Sequence, residues 1–470
     1  MAAVTPVASA SKTQSTVIED TGRLLSDNPD IRTAALDEVQ ALGVDVVKIP
    51  VTWRSYAPNG TSTTKPSIDL TDSYSYEPGI FAGLDGVITG AQARGLKVWL
   101  MVTAPAPRWA VSKETSPGEG AYLPDPVEYA NFVKAVGKRY SSVRIWSFWN
   151  EANFKRFLQP QVKSGVIQSA VHYRDMYRAA YKSLGSSGHA SDTILFGELL
   201  GRYQVDLPAT ATRPLAWLRE FFCIDAKGKA LAGSIAKRHK CTGYKPIKAS
   251  GIAYHPYNVS FQPLAIEKAS PDNAPIGYLP RVTKLLDQAR KSKHLGSGKL
   301  KIYNSEYGIQ SNPPDDAVGF PLSKIPFYLN VSEYLNFIDT RVATYSQYLI
   351  ADDPDLGGFQ TGLRFIDGTK KEGVYAAFQT PFMVFTTKNP KKITVWGALR
   401  AKPAGTVQAE LQTGSGDNWT TLAKISVGAS NGYFLKNVNV ANAASKTFRI
   451  SWSGGISRSS KPIAPVAERL

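Results

Sequence analysis

From residue 15 to about residue 387, short apolar runs alternate with longer segments whose apolar residues recur at helical spacing. The runs are STVIED (15–20), VDVVKIPVTW (44–53), LKVWLMVTAP (96–105), the stretch inside VRIWSFWNEAN (143–153), TILFGELL (193–200), ASGIAYHPY (249–257), LKIYNSEYG (300–308) and TYSQYLIA (344–351). Their β-rich, apolar character is that of strands buried on both faces, as in a parallel sheet. Helical patterns lie between them at 31–43, 79–94, 126–140, 166–184, 279–293 and 327–340. Gly43 and Gly95 close the first two, and Asp125-Pro126 opens the third, as helix ends prefer. Repeated strand–helix units of this number predict an α/β fold, a (β/α)8 TIM barrel with long loops, over residues 15–387. No phosphate-cradling glycine pattern follows the first run, which argues against a dinucleotide-binding sheet.

After residue 388 the period changes to two. KKITVWGAL, TVQAELQT, WTTLAKISV, GYFLKNVNV and KTFRISWS alternate apolar and polar positions, with Gly, Asn and Ser between them. That pattern predicts a small C-terminal antiparallel β-sandwich, immunoglobulin-like, over residues 388–470. The stretch GLRFIDGTKKEGVYAAFQ returns the chain to the barrel as its last turn and helix.

Composition changes the picture little. Of 470 residues, 43% are hydrophobic and 20% charged, which suits a large folded core. The net charge of +17 is uneven, with eleven basic against three acidic side chains in residues 391–470. A basic surface attracts nucleic acid, anionic membranes or acidic polysaccharide. The longest basic cluster, KRHK (237–240), has no basic helix or nucleic-acid motif beside it. The charge therefore reads as a solvated surface, with an anionic cell-wall polymer as the candidate partner of the basic C-terminal domain. Cys223 and Cys241 are the only cysteines and sit in one loop-like stretch. They are free thiols or a local disulfide, and their placement favours the disulfide, which implies an oxidising compartment. His239 is the only other ligand type nearby, too few for zinc. The N-terminal MAAVTPVASASKTQ lacks the charged and apolar regions of a signal peptide and reads as the start of a mature secreted protein. No apolar run reaches the length of a membrane span.

Two glutamates stand in matching contexts. Glu151 ends VRIWSFWNEAN and Glu306 ends LKIYNSEYG, the fourth and seventh strands by count. On strands of one barrel both carboxyls reach the C-terminal mouth, where barrel enzymes hold their chemistry. Facing carboxyl groups can cleave a glycosidic bond, one as acid/base and one as nucleophile. Each also has a plainer reading, since a strand-end Glu can cap a helix or pair with a Lys. Glu151 is expected to hold a proton, helped by the bulk of Phe148 and Trp149, whereas Glu306 is expected to stay ionised.

WNEAN and NSEYG, in this order and on these strands, resemble clan A of the glycoside hydrolases over residues 15–387. The commoner form has Pro after the first Glu, where this chain has Ala152. The resemblance implies a retaining hydrolase with Glu151 as acid/base and Glu306 as nucleophile, needing no metal or organic cofactor. It further implies that Asn150 meets the sugar 2-hydroxyl, that His255 and Tyr257 of YHPY line the site, and that Lys48 stands where many members carry Arg. Trp53 and Trp109 resemble substrate-lining positions, and Gln347 with Tyr348 stands where an eighth-strand Trp is usual. Glu198, ending the fifth run, is a further polar candidate, whereas Asp352 and Asp353 read as loop residues. The barrel–sandwich order with WNEAN and TAPAPRWA looks most like family 39, which implies exo-action on xylosyl, arabinosyl or related residues. VKIPVTW and the His-x-Tyr pattern are similar to family 5, which implies an endo-glycanase. A sugar-binding barrel without catalysis is the rival of another class, and the retained glutamates argue against it.

Overall fold

A computed structural model describes residues 11, 13–114, 119–202, 210–258, 263, 270–400, 405–428, 432–453 and 457–467. Eight strands, β1 (Ser15–Glu19), β2 (Val46–Thr52), β3 (Lys97–Thr103), β4 (Ile145–Phe148), β5 (Thr193–Leu200), β6 (Gly251–His255), β7 (Lys301–Asn304) and β8 (Val342–Tyr348), close into a barrel. Every neighbouring pair is parallel, and β8 pairs with β1 to complete the ring. Each expected strand is present, and the helices between them fall within a few residues of the expected spans, for example Pro29–Ala41 and Leu279–Lys291. The Asp125 carboxylate accepts from the backbone N–H groups of Val127 and Glu128 and so starts the helix Pro126–Arg139.

Successive strand side chains alternate between the two faces, so residues two apart share one. Val17, Val46, Trp99, Leu195 and Ala253 form a buried apolar cluster, with Ile145 and Tyr303 packed against it. Two positions further towards the C-terminal ends, the same alternation brings up Glu19, Lys48, Ser147, His255 and Ser305. An apolar layer thus lies beneath a polar one. Strand β5 departs from strict alternation. Its pairing with β6 shifts register between Gly197 and Leu199, a bulge at which Gly197 has φ 112° and Glu198 φ 49°. The extra residue sends Glu198 to the face that Leu195 occupies. A Cβ on Gly197 would come within 2.6 Å of the Ala253 carbonyl oxygen, so only glycine fits there.

Between β5 and β6 the chain forms two short helices, Pro214–Phe221 and Gly233–Arg238, in the stretch expected to be loop-like. The Cys223–Cys241 disulfide links this excursion, and both half-cystines are buried. Arg174, itself buried, donates to the backbone carbonyls of Glu220, Phe221, His239 and Lys240 and so fixes the bridged segment to the helix Gln168–Leu184.

The C-terminal unit is a sandwich of two four-stranded sheets sharing one core, which includes Val384, Val395, Leu411, Ile425, Phe448 and Trp452. Its first strand, Phe382–Thr386, precedes the expected boundary at 388. That strand lacks polar alternation because both faces are covered. Phe382 and Val384 enter the sandwich core, while Met383 and Phe385 pack with Trp396 on Val331, Tyr334 and Phe337 of the helix Ile325–Ile338. Its pairing with Val466–Ala467 is parallel, whereas its pairing with Lys392–Ala398 is antiparallel. Trp419, the third of the sandwich tryptophans, is half-buried and carries the Arg449 guanidinium 4.1 Å from its ring centre.

A buried ion pair also joins the sandwich to the barrel. Arg400 meets the Glu333 carboxylate at 2.6 Å, donates to the Phe378 carbonyl at 2.6 Å and bonds Thr16 of β1. Tyr433 donates to the second Glu333 oxygen. Arg400→Ala leaves the Glu333 carboxylate buried without its cation, so denaturant unfolding should show a loss of about 3–5 kcal/mol. Lys424→Ala, at an exposed side chain of the same sandwich, should change stability by no more than about 0.5 kcal/mol. Similar small losses for both would show that this contact does not hold the two units together.

Candidate active site

Glu151 and Glu306 meet at the C-terminal mouth of the barrel. One oxygen of each and one ring nitrogen of His255 all lie within 4.8 Å of one another. His255 Nδ1 is 3.1 Å from Glu151 Oε1 and 3.6 Å from Glu306 Oε2. The Tyr257 hydroxyl donates to Glu306 Oε1 at 3.0 Å. Both glutamate side chains keep 11% exposure, whereas His255, Lys48 and Glu198 keep none. A molecule arriving from solvent therefore meets the two carboxyls and not the charges beneath them.

Local backbone geometry aims Glu151. The strand ends at Phe148, and the chain turns through positive φ at Trp149 (68°) and Glu151 (38°). Three contacts hold this turn: the Trp149 N–H donates to the Val102 carbonyl at 2.7 Å, its indole donates to the Phe157 carbonyl at 2.8 Å, and the Glu151 N–H donates to the Glu198 carbonyl at 2.8 Å. Phe148 and Trp149 are fully buried and supply the apolar surroundings expected of them. Asn150 is half-buried, and among the described residues its side-chain oxygen has no hydrogen-bond partner.

Beneath the pair lies a charged layer. Lys48 Nζ sits 2.9 Å from Glu19 Oε2 and 3.1 Å from Glu198 Oε2. Glu198 also accepts from Ser305 Oγ at 2.6 Å, from Ser147 Oγ and from His255 Nε2 at 2.8 Å. Burial alone would raise the Glu198 carboxyl, but Lys48, His255 and Ser147 together hold it down at about 2. Burial alone would lower His255, yet the Glu306 charge and the bonds to Glu151 and Glu198 lift it to about 10. Lys48 stays charged for the same reason: Glu19, Glu198 and Glu306 outweigh its burial.

Glu306 differs from expectation. Burial pushes its carboxyl up to about 7, with Glu19 and Glu151 adding repulsion and with His255 and Lys48 opposing. It is therefore not held fully ionised at neutral pH; it shares its titration with the groups around it.

Four further expectations are corrected. Lys48 is fully buried and neutralises Glu19 and Glu198, so it acts on Glu306 only through the field and cannot touch a substrate. Trp53 is fully buried, packed against Tyr129, Phe132 and the edge of Trp109, so it belongs to the core and offers no stacking face. Gln347 is also fully buried, with its amide donating to the carbonyls of Tyr348, Leu349 and Thr361, a backbone tie that closes the eighth-strand loop. Trp109 is half-buried, with its indole bonded to the Pro58 carbonyl at 3.1 Å. Asp352 is no solvated loop residue, since Lys371 pairs with it at 2.6 Å in a buried contact.

Glu19, Ser147 and Ser305 were missed. Glu19 closes an apolar run as Glu151 and Glu306 follow theirs, and Ser147 interrupts one, which is the signal they left in the sequence; Ser305, between Asn304 and Glu306, left none. Glu151, His255 and Glu306 are also of metal-ligand type. The carboxyls that raise His255 also favour its protonated form, so a cation there would have to displace a proton from the ring.

No family model and no curated protein matches the sequence. Among solved structures, the chain is similar to a monomeric β-xylosidase from Caulobacter crescentus CB15, at 13% identity and TM-score 0.52, over 95% of this chain and 97% of that one. It is also similar to a GH39 β-xylosidase from Caulobacter crescentus (13% identity, TM-score 0.49, 86% and 84% covered). A third is GH5_18 from Streptomyces cattleya in complex with GlcNAc (14% identity, TM-score 0.49, 79% and 80% covered). At such identities the first likeness is one of fold, and it extends over nearly the whole chain.

Tyr257→Phe removes the hydroxyl donor from the Glu306 carboxylate, which disfavours the ionised form. The Glu306 carboxyl, followed by NMR of 13C-labelled glutamate, should titrate about one unit higher than in the parent. An unchanged titration would show that the hydroxyl does not stabilise the carboxylate.

Proposed function

We propose that this chain is a retaining glycoside hydrolase of clan A, with Glu306 as nucleophile and Glu151 as acid/base. One observation carries the reading: carboxyl oxygens from the ends of β4 and β7 lie within 4.8 Å of each other at the barrel mouth. Retaining enzymes space these groups at about 5 Å, whereas inverting ones need about 6.5–9.5 Å to admit water between them. In the first step Glu306 attacks the anomeric carbon as Glu151 passes its proton to the departing oxygen. In the second, Glu151 takes a proton from water, whose oxygen bonds the anomeric carbon and releases Glu306 as carboxylate. The Tyr257 hydroxyl supports the nucleophile. Asn150, whose side-chain oxygen has no partner among the described residues, is suited to the sugar 2-hydroxyl, and the half-buried Trp109 to the rim of the substrate.

The substrate reading is narrower: exo-cleavage of xylosyl, arabinosyl or related residues, as in family 39. The succession of barrel and sandwich supports it, together with a fold likeness to a β-xylosidase. The disulfide is consistent with secretion, and among the described residues no helix is long and apolar enough to cross a membrane. The basic sandwich surface is offered as a contact for an anionic cell-wall polymer. A panel of aryl pyranosides and furanosides, followed by product analysis on oligosaccharides, tests this narrower reading. Release of single terminal sugars is expected, and internal cleavage would favour an endo-glycanase.

Glu306→Ala should lower kcat by on the order of 10^4-fold or more, and added azide should restore part of it by attacking the vacated face. Full activity in that variant would reject the assignment. The pH dependence has a definite sign. The nucleophile must be ionised and its carboxyl sits at about 7, so kcat/KM should fall about tenfold per unit below that pH. A profile flat down to pH 5 would contradict the burial-raised carboxyl.

A further inference from the structure

Glu198 lies under the reacting pair and touches neither reacting carboxyl with its side chain. It is nonetheless the most heavily bonded group of the cluster. The Trp99 indole donates to Ser147 Oγ at 2.8 Å, which commits the Ser147 hydroxyl proton to Glu198 Oε1. Ser305 Oγ donates to Oε2, and Lys48 lies 3.1 Å from the same oxygen. With these donors in place Glu198 can only accept from His255 Nε2, at 2.8 Å. The Glu198 carbonyl also receives the Glu151 N–H, so one residue holds both the imidazole and the backbone of Glu151.

We propose that Glu198, set by Lys48, Ser147 and Ser305, is the positioning residue that keeps a proton on His255 Nε2 and turns Nδ1 towards Glu151 and Glu306. This inference rests on the hydrolase reading for its kinetic part only. Nδ1 lies 3.1 Å from one carboxyl and 3.6 Å from the other, so it favours whichever of the two is ionised at each stage. In the first step negative charge leaves Glu306 and appears on Glu151; in the second it returns. An imidazole with a fixed Nε2 proton can face both states without rotating. The charged and titratable groups around His255 are Glu198 on β5, Glu151 beyond β4, Glu306 beyond β7, Lys48 on β2, Glu19 on β1 and Tyr257 beyond its own strand.

The test is NMR of ring-15N histidine in the full chain, with His255 assigned by the His255→Gln variant among five histidines. In the parent, Nε2 should stay protonated from about pH 5 to 9, beyond the range of an ordinary histidine. A neutral ring carrying its proton on Nδ1 would overturn the proposal, and this readout needs no substrate. In Glu198→Gln the ring should titrate at least about one unit lower than in the parent. On aryl glycosides, kcat of that variant should fall at least about tenfold with KM within about threefold. Unchanged kcat and ring titration in Glu198→Gln would also overturn it. Loss of activity in Glu306→Ala beside an unaffected Glu198→Gln would leave the hydrolase reading standing and remove this one. Should Glu198→Gln not fold, Ser305→Ala, which removes one donor and no charge, should lower kcat about threefold or more and shift the ring titration in the same direction.

Discussion

Four carboxyl groups crowd the mouth of this barrel, and two buried cations make the arrangement tenable. Lys48 serves Glu19 and Glu198 from below, while His255 stands between Glu198 and the exposed pair. An isolated charge at these depths would cost several kcal/mol or lose its charge by titration. Because each cation is shared, no single contact can change without altering the others. The raised Glu306 carboxyl follows from burial together with this crowding: Glu19 and Glu151 add repulsion that His255 and Lys48 oppose. Glu198, Lys48 and His255 are closed off from solvent, whereas Glu151 and Glu306 keep part of their surface open to it.

The backbone devices that build the layer are few. Parallel alternation supplies an apolar floor and a polar level above it, and the β5 bulge at Gly197 brings in the one carboxylate that alternation alone would point away. Positive φ at Trp149 and Glu151, held by bonds to β3 and to Glu198, turns the acid/base candidate inward. At the other end of β1, Thr16 is bonded by Arg400, so the sandwich grips the strand that carries Glu19. This contact and the apolar packing around Trp396 make the sandwich a brace for the barrel.

Strand and helix order was readable because buried parallel strands leave long apolar runs that few other structures produce. Glu151 and Glu306 stood out for the same reason, as carboxylates closing such runs. Depth was not readable. Periodicity tells which face a side chain takes but not how far below the rim it lies, and so Lys48, Trp53 and Gln347 were expected to line the substrate site and are fully buried. Glu198 was only weakly visible because a bulge reverses the facing, and Gly197 beside it was the one sign. The first sandwich strand escaped because its two faces pack on different partners and leave no polar alternation.

The central claim is that Glu306 becomes covalently glycosylated during turnover. A 2-deoxy-2-fluoro glycoside with a good leaving group slows both steps, the second more, and traps such an intermediate for intact-mass and peptide analysis. The account predicts a mass increase of one fluoroglycosyl group on the peptide carrying Glu306, reversed by an acceptor sugar. Turnover of the parent substrate with inversion at the anomeric carbon, or a label on any other residue, would contradict it.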